Sequence, residues 1–159
     1  MANWTEPKSW TAEKSTLTGW NTYLQQNMEA LKNPPTDSYA PSYSAGTLYT
    51  TSSATFTDIN AVYELSLTTK GGDILICFRG AISTIGGVGY LDISFDGTRL
   101  GGPDGILSFP ADVQSNVSMI WLKQEVIAGT YTIKPQWKTA GTNNLVGNSI
   151  PQFWAREVS

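Results

Sequence analysis

The sequence predicts a mainly β fold: an antiparallel β-sandwich or jelly roll, preceded by an N-terminal arm and one short α-helix. Three observations carry this. From Leu48 onward apolar residues recur with a period of two, the side-chain repeat of a strand. Turn signals fall about every 8–12 residues with no helical pattern between them: Lys70-Gly71-Gly72, Asp96-Gly97, Gly101 to Gly105, Ala128-Gly129 and Ala140 to Asn144. The stretch Gly71 to Arg99 sets a strand apolar on both faces beside one that alternates cleanly. A doubly covered strand next to a half-covered one belongs to a sheet packed against another layer.

Residues 1–46 are expected to form an arm, a helix and a linker, and residues 47–159 the β domain. The first sixteen residues mix Trp4, Pro7 and Trp10 with polar groups, too irregular to fold alone. From Thr16 to Lys32 apolar residues Leu17, Trp20, Leu24, Met28 and Leu31 recur at helical spacing, which lays one stripe along about four turns. Asn33-Pro34-Pro35 ends the helix, because each proline lacks an amide donor. The following Pro/Ser/Tyr-rich segment, with Tyr39 in it, has no periodicity and reads as a linker strapped to a surface. A helix of this length is marginal alone and needs a partner surface.

In the β domain, strands are expected near 47–51, 54–58, 62–68, 73–83, 90–96, 106–109, 117–126, 130–138, 145–146 and 152–158. In DILICFR, Ile74, Ile76 and Phe78 share one face and Leu75 and Cys77 the other. In Tyr90–Asp96 the residues Leu91, Ile93 and Phe95 point inward, and Asp92, Ser94 and Asp96 point to solvent, ahead of an Asp96-Gly97 hairpin turn. Two strands are apolar on both faces: Ile120 and Leu122 oppose Met119 and Trp121, and Phe153 opposes Trp154. A single sandwich has one core. Ile120 and Leu122 are therefore assigned to it, and Met119, Trp121 and Trp154 to contacts with other subunits, where large aromatic and Met side chains concentrate.

Composition narrows the function. Hydrophobic residues make up 40% of the chain and charged ones 14%, well below the roughly 25% usual for soluble domains. Few charges mean little to desolvate when surfaces meet. The net charge of −3 and the lack of any concentrated Lys/Arg cluster argue against a nucleic-acid partner, which needs a basic patch. Cys77 is the one cysteine; in the most apolar strand it reads as a buried structural thiol and not a nucleophile. There is no histidine, which removes the commonest general base and metal ligand. MANWTEPKSW has no apolar leader, and no run approaches the ~18 apolar residues of a membrane span. A soluble product made in the cytoplasm is expected.

Motifs that could carry chemistry are outweighed by plainer readings. Asp92-x-Ser94-x-Asp96-Gly97 opens like a calcium loop, but Pro103 stands where the bidentate Glu belongs, and the motif lies in a strand pattern. Gly86-Gly87-Val88-Gly89 precedes a strand instead of opening a helix, so it is no phosphate loop. Carboxylate pairs drawn from Asp92, Asp96, Asp104 and Asp112 could serve glycoside hydrolysis, yet Asp-Gly contexts are what turns use. Neither enzyme activity, nor a cofactor, nor a metal is expected.

As a whole the chain resembles a family of small virion proteins of tailed phages. The resemblance rests on the Trp-rich start, the helix and linker LTGWNTYLQQNMEALKNPPTDSY, then YTTSSATFTDI, GGDILICFRG, YLDISFDGTRLGGPDGI, IAGTYTIKPQWKTAGT and the closing PQFWAREV. It covers nearly everything from about Trp10, and departs at Gln25-Gln26, where a charged residue would be expected. It implies a jelly-roll-like β domain with an N-terminal anchor, a structural role in head or tail, and no catalytic residues. The function expected is a capsid decoration (cement) protein, made in the host cytoplasm and forming homotrimers on the outer surface of the head. Its partners would be itself and the major capsid protein. The contacts would be made by Trp4, Trp10, Leu17, Trp20, Leu24, Met28, Leu31 and Tyr39 from the arm, helix and linker, and by Met119, Trp121 and Trp154 from the β domain. The alternative is a tail-fibre or tail-tip component that binds a host surface glycan. The loop tips GGPDG, AGTNN and STIGGVG hold no aromatic residue, which favours cement.

Overall fold

The computed structural model describes residues 47–145 and 151–158, the backbone of Asp37–Tyr39, and the positions Asn21, Leu24, Gln25 and Met28. The chain divides into two compact units, Met1–Thr36 and Asp37–Ser159. In the first, the four described positions are helical; the rest of the expected helix, and Trp4, Trp10, Leu17, Trp20 and Leu31 with it, lie outside the described residues.

The second unit is mainly β, as expected, with twelve described strands that pair antiparallel in two sheets. Strand β5 (Gly72–Ile85) is the spine of the first sheet. One of its sides pairs along its length with β9 (Gln114–Val126). The other pairs first with β12 (Gln152–Glu157) and then with β11 (Thr142–Leu145). Beyond these lie β1 (Asp37–Tyr39), on β12, and β2 (Tyr49–Thr51), on β11. In the second sheet β10 (Gly129–Thr139) pairs on one side with β6 (Gly89–Phe95) and on the other with β3 (Thr57–Asp58) and β4 (Leu65–Thr69). Strands β7 (Thr98–Arg99) and β8 (Leu107–Phe109) close the outer side of β6.

The two inner faces meet in one core. Ile74, Ile76, Phe78, Val117, Met119 and Phe153 come from the first sheet, and Leu65, Leu67, Leu91, Ile93, Ile133 and Trp137 from the second. Each such side chain contributes about 1.5–3 kcal/mol by leaving water. Edge-to-face ring contacts run through the core: Tyr49 to Tyr63 at 5.7 Å, Tyr63 to Phe78 at 6.3 Å and Phe78 to Phe153 at 6.3 Å. Tyr63 sits in a short 3-10 turn, Ala61–Tyr63, not in the strand expected over 62–68; Asn60 caps that turn by accepting from the Val62 amide. The expected Asp96-Gly97 hairpin is present, with φ of 50° and 80° at its two residues, as a two-residue turn between twisted strands requires.

Three expectations are corrected. The segment taken for a linker contains β1, so the β unit begins at Asp37, upstream of residue 47. Asp92 and Ser94, expected in solvent, are buried, because the chain from Arg99 to Gly105 folds back over the outer side of β6. Asp92 Oδ1 accepts from the amides of Ile93 (2.7 Å) and Gly101 (2.8 Å), while Arg99 Nε stands 3.6 Å from Oδ2. The faces of β9 are reversed: Met119 lies in its own core and Trp121 packs half-buried against it, whereas Ile120 and Leu122 are exposed.

Candidate interaction surface

Register fixes what stands on the outer face of the first sheet, because directly opposed residues of an antiparallel pair project to the same side. One cross-strand row runs from Trp154 through Cys77 to Ile120, and the next from Arg156 through Leu75 to Leu122. Ile120 is 63% exposed and Leu122 44% exposed. Trp154 and Leu75 are half-buried, and Cys77, flanked on both sides in its row, is buried. The second face of DILICFR is thus apolar, as the sequence suggests, but only partly covered. Desolvation is the largest influence on Cys77 and pushes its thiol above the ordinary value, while the nearby Arg79 charge pulls it down by less. A thiol so placed is a packing group and a poor nucleophile at neutral pH.

Of the expected contact residues, the structure therefore places Trp154 on this face, gives Tyr39 a backbone position in register with it, and removes Met119 to the interior. Trp121 stands on the inward side of its strand and cannot anchor an outer contact. Leu24 (54% exposed) and Met28 (61% exposed) are both open to solvent on helical positions, one turn apart on the expected stripe. The residues missed on the β domain are Ile120 and Leu122. A longer window would have found them: Gln114, Asn116, Ser118 and Gln124 share their parity, and a parity with four polar members faces solvent.

A polar cluster lies at the loop end of the second sheet. Arg99 stacks over the Phe56 ring at 4.2 Å and donates to Gly102 O at 3.0 Å. Lys138 Nζ faces the rings of Phe56 (5.0 Å) and Tyr90 (4.7 Å) and donates to Pro103 O (2.7 Å) and Asp104 Oδ1 (3.1 Å). Cations occupy the ring faces that a sugar would stack on. On the β3–β4 side, Lys134 bridges Glu64 (2.9 Å) and Asp58 (3.2 Å), and these carboxylates hold its ammonium above the ordinary lysine value. Among the described residues no cluster of His, Cys, Asp or Glu has the makeup of a metal site, and no described helix is long and apolar enough to cross a membrane. No protein-family model matches the chain, and no curated protein matches its sequence.

Proposed function

We propose that the chain is a structural protein of a tailed-phage virion, a decoration (cement) protein that sits on the outer surface of the head and binds the major capsid protein. The observation that supports this best is apolar surface in both units: Ile120 and Leu122 on the β domain, Leu24 and Met28 on the helix. A rigid β domain with such patches, and a separate N-terminal unit to carry a second set, suits attachment by several weak contacts. Joining copies multiplies those contacts through effective concentration. The homotrimer expected from the resemblance cannot use Met119 as its joint, because that side chain lies in the core of its own domain.

A glycan-binding tail component is the weaker reading. The rings of Phe56 and Tyr90 are already faced by Arg99 and Lys138. Quantitative mass spectrometry of purified particles, with heads and tails separated, tests the proposal. Recovery in the head fraction in a fixed ratio to the major capsid protein is expected. Recovery with tails, or absence from particles, overturns it.

A further inference from the structure

The edge of β9 is built for pairing. Thr84 N donates to Val113 O (3.4 Å), and the β5–β9 register continues unbroken from Ser83–Gln114 to Ile74–Lys123. In an antiparallel ladder the N–H and C=O of one residue point to the same neighbour, and the direction alternates along the strand. The odd-numbered residues of β9 therefore bond to β5, and Gln114, Asn116, Ser118, Ile120 and Leu122 turn their backbone groups away from it. Among the described residues no strand pairs with that side. Solvent-exposed edges are usually guarded by charge, proline or an early bulge. Here Gln114–Leu122 carries neither charge nor proline, and the register shift comes only beyond Lys123.

We infer that β9 pairs antiparallel with β9 of a second copy across a two-fold axis near Trp121, joining the two first sheets into one. The choice of a second copy follows from the strand's own pattern. With Ile120 opposite Leu122 of the other copy, both apolar side chains of each strand meet apolar partners, and Ser118 meets Gln124. Lys123 falls opposite Met119 and Glu125 opposite Val117, so no like charges face each other. Ile120 and Leu122 carry the outward-pointing backbone groups as well as the exposed side chains, so one contact satisfies both. A two-fold interface is self-complementary by construction. The pairing continues the patch of Trp154, Cys77 and Leu75 across the axis, giving a joined surface twice as long for other partners. It does not depend on where the chain resides, and its test needs only the purified protein.

Sedimentation equilibrium of the full chain, from low to high micromolar concentration, should give a monomer–dimer equilibrium. Ile120→Lys with Leu122→Lys should raise the dissociation constant by about a hundredfold or more, with the melting temperature of the monomer unchanged because both side chains are exposed. Val62→Lys, at an exposed apolar site in the 3-10 turn between β3 and β4, should leave it as it is. Amide exchange adds a readout specific to the edge. In the dilute monomer the amides of Ser118, Ile120 and Leu122 should exchange fast while those of Val117, Met119 and Trp121 are protected; at high concentration all six should be protected. A wild-type monomer throughout, a trimer, or a dimer that survives the double lysine variant or leaves the even-numbered amides unprotected would overturn the pairing. None of these outcomes would move the chain on or off the phage head.

Discussion

The Asp92 carboxylate accepts the Gly101 amide at 2.8 Å from a fully buried position on β6. That bond ties the Gly101–Gly105 turn to the strand it covers. Gly101 itself has no room for a side chain, since a Cβ would lie 2.5 Å from Gly105 C and 2.9 Å from Asp92 Oδ1. A residue that alternation assigns to solvent thus serves as the staple of a loop.

Replacing Asp92 by Ala should leave the Ile93 and Gly101 amides without their acceptor. Each amide left without its acceptor costs about 1–3 kcal/mol, so the unfolding free energy should fall by about 2–6 kcal/mol in urea titration. An unchanged midpoint would show that the backbone bonds from Leu100 to Ile93 and from Ile106 to Leu91 hold the loop without the carboxylate.

Alkaline stability should fall in two stages. The Cys77 thiol is raised from 9.0 by burial, so the unfolded chain loses that proton first. Stability from the neutral thiol is complete below pH 9 and is lost as pH rises through the folded value. The Lys134 ammonium is raised from 10.5 by Glu64 and then Asp58; its contribution is likewise complete below 10.5 and lost as pH climbs through its folded value. Melting temperatures measured from pH 8 to 11 should decline from about pH 9. Cys77→Ala should delay the onset, and Lys134→Met should flatten the later part. A decline untouched by either substitution would assign it to other groups.

Much of the β domain is legible in its sequence, because period-two patterning and turn chemistry are local. Leu65, Leu67, Ile74, Ile76, Phe78, Leu91 and Ile93 are buried as their alternation predicts, and Asp96-Gly97 makes its turn. Two of the failures were non-local. Asp92 is buried by a loop that arrives later in the chain, and strand alternation carries no word of it. Strand β1 exists because β12, more than a hundred residues downstream, offers an edge to it. On β9 both faces hold two large apolar residues in the central four, so a short window cannot choose between them. The polar residues flanking that window decide.

The boundary at Asp37 has a consequence for truncation. A chain starting at residue 37 should keep β1 on β12 and unfold at the same urea midpoint as the full protein. A chain starting at residue 47 loses β1, which bares the edge of β12 opposite Arg156, Ala155 and Trp154, and should unfold at a lower midpoint. Equal midpoints for the two would mean that β1 adds nothing to the stability of the sheet.

The last expectation concerns the N-terminal unit. Leu24 and Met28 are more than half exposed, so little of their transfer free energy is realised in the free chain. Leu24→Ser with Met28→Ser should then leave the melting temperature of the purified protein within about 4 °C of wild type, since each exposed substitution changes stability by less than about 0.5 kcal/mol. If this stripe is one of the surfaces that grips the head, the same double variant should wash off isolated heads at lower salt or denaturant than the wild-type protein. The readout is the fraction retained after stepwise washing. Retention equal to wild type would take the stripe out of the attachment mechanism and leave the outer face of the first sheet, with Trp154 and Leu122, to account for binding. A large fall in melting temperature would show instead that the two side chains stabilise the free protein, and that their exposure does not measure their contribution.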